Sequence, residues 1–417
     1  MRSTFLAFVL VLAVLAPSAT AATLPAASTV PGSNGAVTSR VAASRDGTIA
    51  VAWGSGKVAI RRADGHWEPL HLLVPSNRMG TGVDLAFDTR NQLVVTWVQA
   101  ASAPGHATRG PFSVEAVTWT AGRKWGVAKV LGHSGHFIEA SPRVTHNYAG
   151  DSLISWQGIR RNASHQIRDC VSTSFRPAGK LFGREQQIAD GGPYQDVKLD
   201  DHGNAYAVWT QSTGDSTVNR FAYKSRSGSW GSPKTFSANP SSIPALAVTP
   251  DGSAVIGYRA AQADSEGNGT QTGAVYTIAR SPSGTFGAPV KLSDDQTHDV
   301  RVAVSPSGEV LLAWAAAGGL SFSARPPGGD PSPPQLVPGA GSGPLDYSRH
   351  GDALLVYDNH QQVFMIGRSH TSSVFGAPAL LSASGQYPAL SILGLRAAIS
   401  WLDPSRNRLK VLALPLS

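Results

Sequence analysis

The sequence predicts an all-β fold: a β-propeller of eight four-stranded blades, with seven as the alternative count. Three observations carry this. A phrase that opens on a turn glycine and ends on an aromatic, first met as Asp46-Gly47-Thr48-Ile49-Ala50-Val51-Ala52-Trp53, returns seven more times. Its closing aromatics are Trp53, Trp97, Trp156, Trp209, Tyr258, Trp314, Tyr357 and Trp401, so 348 residues separate the first from the last over seven intervals. A spacing of about 50 residues is the period of propeller blades, not of helical solenoids. Finally, the segments alternate apolar and polar residues and are rich in β-branched and aromatic types, whereas a helical repeat would show a 3.6-residue period.

Each unit reads as four strands. The first alternates, as in Val83-Asp84-Leu85-Ala86-Phe87, and leads to a turn whose glycine (Asn91 in the second unit) suits a backbone needing φ > 0. The second strand ends at the aromatic. A third follows, as in Val275-Tyr276-Thr277-Ile278-Ala279, then a second turn carrying its own aromatic (Trp67, Trp125, Phe182, Trp230, Phe286, Phe375) and a short fourth strand. The units begin near residues 39, 81, 140, 193, 242, 298, 342 and 386. The last runs out after Leu414 without a fourth strand, and Leu24-Pro25-Ala26-Ala27-Ser28 reads like Pro378-Ala379-Leu380-Leu381-Ser382. The segment Thr23 to Val30 is therefore expected to complete the eighth blade and leave no open edge.

Residues 1–21 read as a secretory signal: Arg2, an apolar core from Phe5 to Ala16, and Ala19-Thr20-Ala21 as the cleavage site. Residues 22–417 are expected to form one propeller domain, exported and monomeric, with no membrane span, since no apolar run reaches the roughly 18 residues that one requires. Cys170 is the only cysteine, so no intramolecular disulfide can form. The formal charge of +8 comes from dispersed basic residues, which argues against a nucleic-acid partner. Charged residues make up 15% of the chain against about 25% in typical domains, while 44 glycines and 28 prolines fit many short strands joined by tight turns.

Ser225-Arg226-Ser227-Gly228-Ser229-Trp230 and Ser281-Pro282-Ser283-Gly284-Thr285-Phe286 resemble the Asp-box turn of sialidase-like and BNR-repeat propellers, Ser-x-Asp-x-Gly-x-Thr-Trp, with serine where that pattern has aspartate. In that family the boxes are structural and lie away from the active face, so the resemblance implies a fold and no chemistry. A sialidase-like enzyme would need three arginines for the substrate carboxylate, a tyrosine–glutamate pair and an aspartate acid/base. The early Phe/Tyr-Arg-Ile-Pro signature is absent. Phe175-Arg176-Pro177 falls after the third strand, and Glu115, Glu139, Glu185, Glu266 and Glu309 have no evident tyrosine partner.

The informative polar residues are those where the units differ. Asp84, Arg143, Asp196 and the set His298-Asp299-Arg301 begin first strands, where they can converge on the axis; Asp84, Asp196, Asp299, Arg143 and Arg301 are the catalytic candidates. The connections between second and third strands are long in units two to five: Gln99 to Ser113, Gln157 to Asp169, Gln211 to Arg220, and Arg259 to Gly273. Their Arg109, Arg160, Arg161, His165, Arg220 and Arg259 are the ligand-binding candidates, suited to carboxylate-bearing or polyhydroxyl ligands. No cofactor or metal is expected. His133-Ser134-Gly135-His136 lacks further ligands, and Asp200-Asp201-His202-Gly203-Asn204 lacks the alternating oxygens and final glutamate of a calcium loop. The function expected from the sequence is a binding module for a carbohydrate or an extracellular protein; the alternative is a divergent sialidase-like glycoside hydrolase or lyase.

Overall fold

The computed structural model describes residues 24–416 apart from 101–111, 136–141, 162–166, 191–194, 213–216, 239–243, 264–268 and 298–299. The sequence-predicted signal segment therefore lies outside the described residues. The strands form eight four-stranded antiparallel sheets, each in simple up-and-down order, arranged in a ring as an eight-bladed propeller. Blade one uses strands Ser39–Ala43, Ile49–Trp53, Lys57–Arg61 and His71–Leu72. Blade eight uses Gln386–Leu393, Arg396–Asp403 and Arg408–Pro415. Its fourth strand is Ser28–Thr29, paired Ser28 to Val411 and Thr29 to Lys410. The chain's beginning thus closes the ring as expected. Ser33 fastens the seam, its fully buried Oγ donating to Val30 O at 2.6 Å and accepting Leu409 N–H at 3.0 Å.

The repeated phrase does the work of the blade. The eight closing aromatics, Trp53 to Trp401, are all at most 3% exposed and sit in the clusters that join neighbouring sheets. The turn position has positive φ in every unit, Asn91 at 58° among glycines between 65° and 92°. A left-handed turn there lets the first residue of the turn accept the N–H three positions on, as Asp88 O does from Asn91 at 3.0 Å. A second repeated feature ends the third strand: Arg61, Arg176, Lys224, Arg280, Arg325 and Arg368 all pair with the first residue of their second strand. The cations at 176, 224, 280 and 368 each lie over an aromatic ring.

In blades three and five the expected long loops need correcting. In blade three the second and third strands run to Arg161 and resume at Ile167; in blade five they run to Ala263 and resume at Gly269. Most of each supposed loop is a paired hairpin arm that continues about five residues, roughly 16 Å, past the aromatic. The alternating residues on both sides of each connection pair with one another, Gln157 with Val171 and Arg160 with Arg168, and so satisfy their backbone groups.

Candidate functional site

The innermost strands face the axis, and pairing register fixes the level of each residue along it. The position just before each blade's aromatic pairs with Arg40, Asp84, Arg143, Asp196, Ala245, Arg301 and Ala389 in blades one to six and eight. Blade seven reaches that level at Pro344, whose carbonyl accepts Val356 N–H at 3.1 Å. One ring of the channel, on the side of the hairpin arms, therefore carries three arginines alternating with two aspartates. Sequence reasoning had found Asp84, Arg143, Asp196 and Arg301. It missed Arg40, which counting back from Trp53 by the same register would have revealed.

The two aspartates are structural ties. Asp84 Oδ2 accepts the N–H of Val144 at 2.9 Å, and Asp196 Oδ2 accepts that of Leu246 at 2.9 Å, each reaching the first strand of the next blade. Asp84 also meets Arg40 at 3.7 Å, and Asp196 meets Lys198 at 3.1 Å. The arginines are differently placed. Arg40 is held below the usual guanidinium range, by burial first and by Arg143 next, with a smaller push from Arg301 and an opposing pull from Asp84. It stands among protein on all sides and yet keeps 45% of its side-chain surface accessible, the signature of a group lining a channel. Arg143 and Arg301 are exposed on the same face. Gln195, next to Asp196 and buried to 8%, has an Oε1 with no hydrogen-bond partner among the described residues.

Two residues deeper, the ring consists of Ala42, Ala86, Thr145, Lys198, Ala247, Ala303, Asp346 and Ser391, mostly small. Below it a cavity of about 430 Å³ opens towards the turns, with Tyr148 and Asp201 at its rim. Asp346 repeats the tie: its carboxylate accepts N–H groups of Tyr347 at 2.8 Å and Ile392 at 3.3 Å. Burial pushes its pKa up to about 6 against those two hydrogen bonds and the attraction of Lys198. His146 is pushed down to about 4 by burial and bridges Ser152 Oγ and Ala86 O. Asp346 and Lys198 were not singled out from the sequence, because they lie two residues inside the strand, where an alternating pattern predicts only a polar slot.

The remaining candidates scatter. Arg160 is exposed near the end of the blade-three arm, whereas the Arg161 side chain, His165, Arg109, His298 and Asp299 lie outside the described residues. Arg220 is in the middle of a third strand, donating to Gln211 Oε1 at 3.0 Å and Thr235 Oγ1 at 2.5 Å; Arg259 is buried to 4% in a second strand. Both belong to paired strands and not to loops. Asp200 is filled by the N–H groups of His202 and Asn204, the Asn204 amide and the Tyr206 hydroxyl. Among the described residues no group of three or more His, Cys, Asp or Glu side chains forms a metal-binding cluster. Cys170 is buried and its thiol is pushed up to about 11, chiefly by that burial.

No protein-family model matches the chain, and no curated protein matches its sequence. Solved structures do match its fold. The Dos1 propeller aligns with a TM-score of 0.56 at 8% identity, over 92% of this chain and 93% of that one. An ulvan lyase, solved bound to -[GlcA(1-4)Rha3S]-, aligns with a TM-score of 0.50 at 11% identity, over 79% and 91%. The Hadza microbial sialidase Hz136 aligns with a TM-score of 0.42 at 11% identity, over 89% and 73%. At such identities the likeness is one of fold.

Proposed function

We propose that this protein is an exported binding module that holds an anionic carbohydrate at the arm-side mouth of its axial channel. The observation that carries the reading is the convergence of Arg40, Arg143 and Arg301 on one level, close enough that the second and third depress the pKa of the first. Gathering like charges is unfavourable unless something offsets it, and a carboxylate or sulfate offers each guanidinium a charge-assisted, bidentate partner. Among the described residues, Asp84 meets Arg40 and Asp196 meets Lys198. The lyase of matching fold is solved with a saccharide repeat that carries both groups, which supports the same ligand class here. Export rests on the signal-like segment 1–21.

Binding is favoured over catalysis because both described inward aspartates of the upper ring are engaged as structural ties, each accepting a backbone N–H of the next blade. The second reading, a divergent hydrolase or lyase, rests on Asp346, whose pKa near 6 suits a general acid. A glycan array separates neutral from acidic ligands, and incubation of the bound glycans with the protein tests turnover. Retention of uronate- or sulfate-bearing glycans with no products supports the module. Product formation abolished by Asp346→Asn supports the enzyme, and retention of neutral glycans alone overturns both.

A further inference from the structure

The cation that ends the third strand is matched to an anion or to carbonyls in blades three, four and seven. Arg176 has Asp88 at 3.6 Å with Ser152 and Gln92, Arg368 has Glu309 and Tyr347, and Lys224 has the carbonyls of Ser225 and Arg226. Arg280, in blade five, has no ion pair among the described residues. It is buried to 8% over the rings of Tyr206, Phe221 and Tyr223, and among the described residues its guanidinium makes one hydrogen bond, a long contact of 3.4 Å from Nη1 to Ser281 O. The carboxylate that corresponds to Asp88 one blade earlier is Asp200. Here the Tyr206 hydroxyl has taken it at 3.0 Å, so the tyrosine ring stands where the ion pair would form.

A cleft of about 620 Å³ between blades five and six opens onto this guanidinium. Arg325, the corresponding cation of blade six, lines the same cleft, half-buried and without an ion pair among the described residues. The other walls are Pro250, Pro282, Pro306, Pro327 and Phe286, flat apolar faces of which the first, second and fourth are exposed. Asp251 also borders the cleft, but its carboxylate is turned into Thr249 Oγ1 and the N–H and hydroxyl of Ser253. Gly284, at φ 96°, keeps the turn clear of Arg280: a Cβ there would stand 3.0 Å from Nη2. An apolar recess with a few convergent polar groups is the usual form of a small-ligand site, and a buried cation lacking an anion specifies the sign of what completes it.

We propose that this cleft is a second ligand site, on the turn side and distinct from the arginine ring, that takes a ring-borne oxyanion: the sulfate or carboxylate of a saccharide. Arg280 and Arg325 hold the oxyanion, and the proline and phenylalanine faces hold the ring. Isothermal titration at fixed low salt tests it with three probes: N-acetylglucosamine 6-sulfate, N-acetylglucosamine and inorganic sulfate. The sulfated sugar is expected to bind saturably, and at least about 10-fold more tightly than either of the others, since each of them lacks one half of the contacts. Arg325→Ala is expected to weaken it about 10-fold, and Arg280→Gln at least as much, while Arg40→Ala and Arg143→Ala leave it unchanged. Should Arg280→Gln fail to fold, Ser307→Trp, which fills the cleft from its exposed rim, takes its place. Equal binding of inorganic sulfate, binding unaffected by Arg325→Ala, or loss in Arg143→Ala would each overturn the assignment. The last result would do so without touching the proposed function, which is tested at the ring by its own variants.

Discussion

Asp346 offers the sharpest test of how the channel is built. Its carboxyl has an ordinary pKa of 3.8, raised to about 6 in the folded protein. The folded state therefore holds the proton more tightly than the unfolded chain does. The stability this contributes is fully present below pH 3.8 and is lost as pH rises through about 6. At 1.36 kcal/mol per pH unit the gap is worth about 3 kcal/mol, a ceiling that partial access to the wet channel reduces to about 1–3 kcal/mol. Asp346→Asn removes the titration. The amide cannot accept both N–H groups that the carboxylate accepts, so the variant carries a constant offset, but that offset does not vary with pH. Urea unfolding of both proteins at pH 4, 5, 6 and 7.5 should show the variant gaining about 1–3 kcal/mol on wild type across the series. His146, depressed from 6.5 to about 4, acts in the opposite sense, with stability present above pH 6.5 and lost as pH falls towards 4. Wild type should thus vary little across this window, and the variant should fall on acidification. Parallel curves for the two proteins would refute the placement of Asp346 in a partly desolvated ring.

Other outcomes follow from the same contacts. Trp156→Ala removes a fully buried blade aromatic and should cost about 4 kcal/mol in urea unfolding, whereas Arg160→Ala on the exposed arm should cost less than about 0.5. Asp84→Ala strips the acceptor from Val144 N–H and should cost about 1–3 kcal/mol without abolishing ligand retention, which a catalytic or ligand-contacting aspartate would not allow. Ser33→Ala should loosen the seam, visible as faster amide exchange at Leu409 than in wild type. Cys170 should react with a thiol reagent such as DTNB only in the denatured protein, since burial keeps the thiolate population negligible at neutral pH.

Repetition made the fold readable. Eight aromatics at one spacing can only be serving every blade alike, and all eight are buried between sheets. Asn91 could be placed as a turn residue because its seven counterparts are glycines, and its φ of 58° agrees. The N-terminal fourth strand was legible because the last unit lacked one. What stayed hidden depends on register or on three-dimensional neighbours. Arg220 and Arg259 looked like loop residues because the hairpin arms continue past the aromatic, and only strand pairing shows where an arm ends and its turn begins. Arg40 is not marked by the apolar pattern, because it lies just before the run Val41-Ala42-Ala43. That Arg280 has no ion pair among the described residues is not a property of blade five alone: it arises because Tyr206, from the blade before, occupies Asp200.

The arginine ring is the centre of the functional account, and its most direct test is affinity for an acidic polysaccharide measured on single-arginine variants. For wild type, Arg40→Ala, Arg143→Ala and Arg301→Ala, titration with a uronate-bearing glycan and its carboxyl-reduced counterpart should show selective binding of the acidic form by wild type. Each variant should lose about 10-fold or more, and the loss should shrink as salt rises. Equal affinity for the two glycans, or full affinity retained in all three variants, would contradict it.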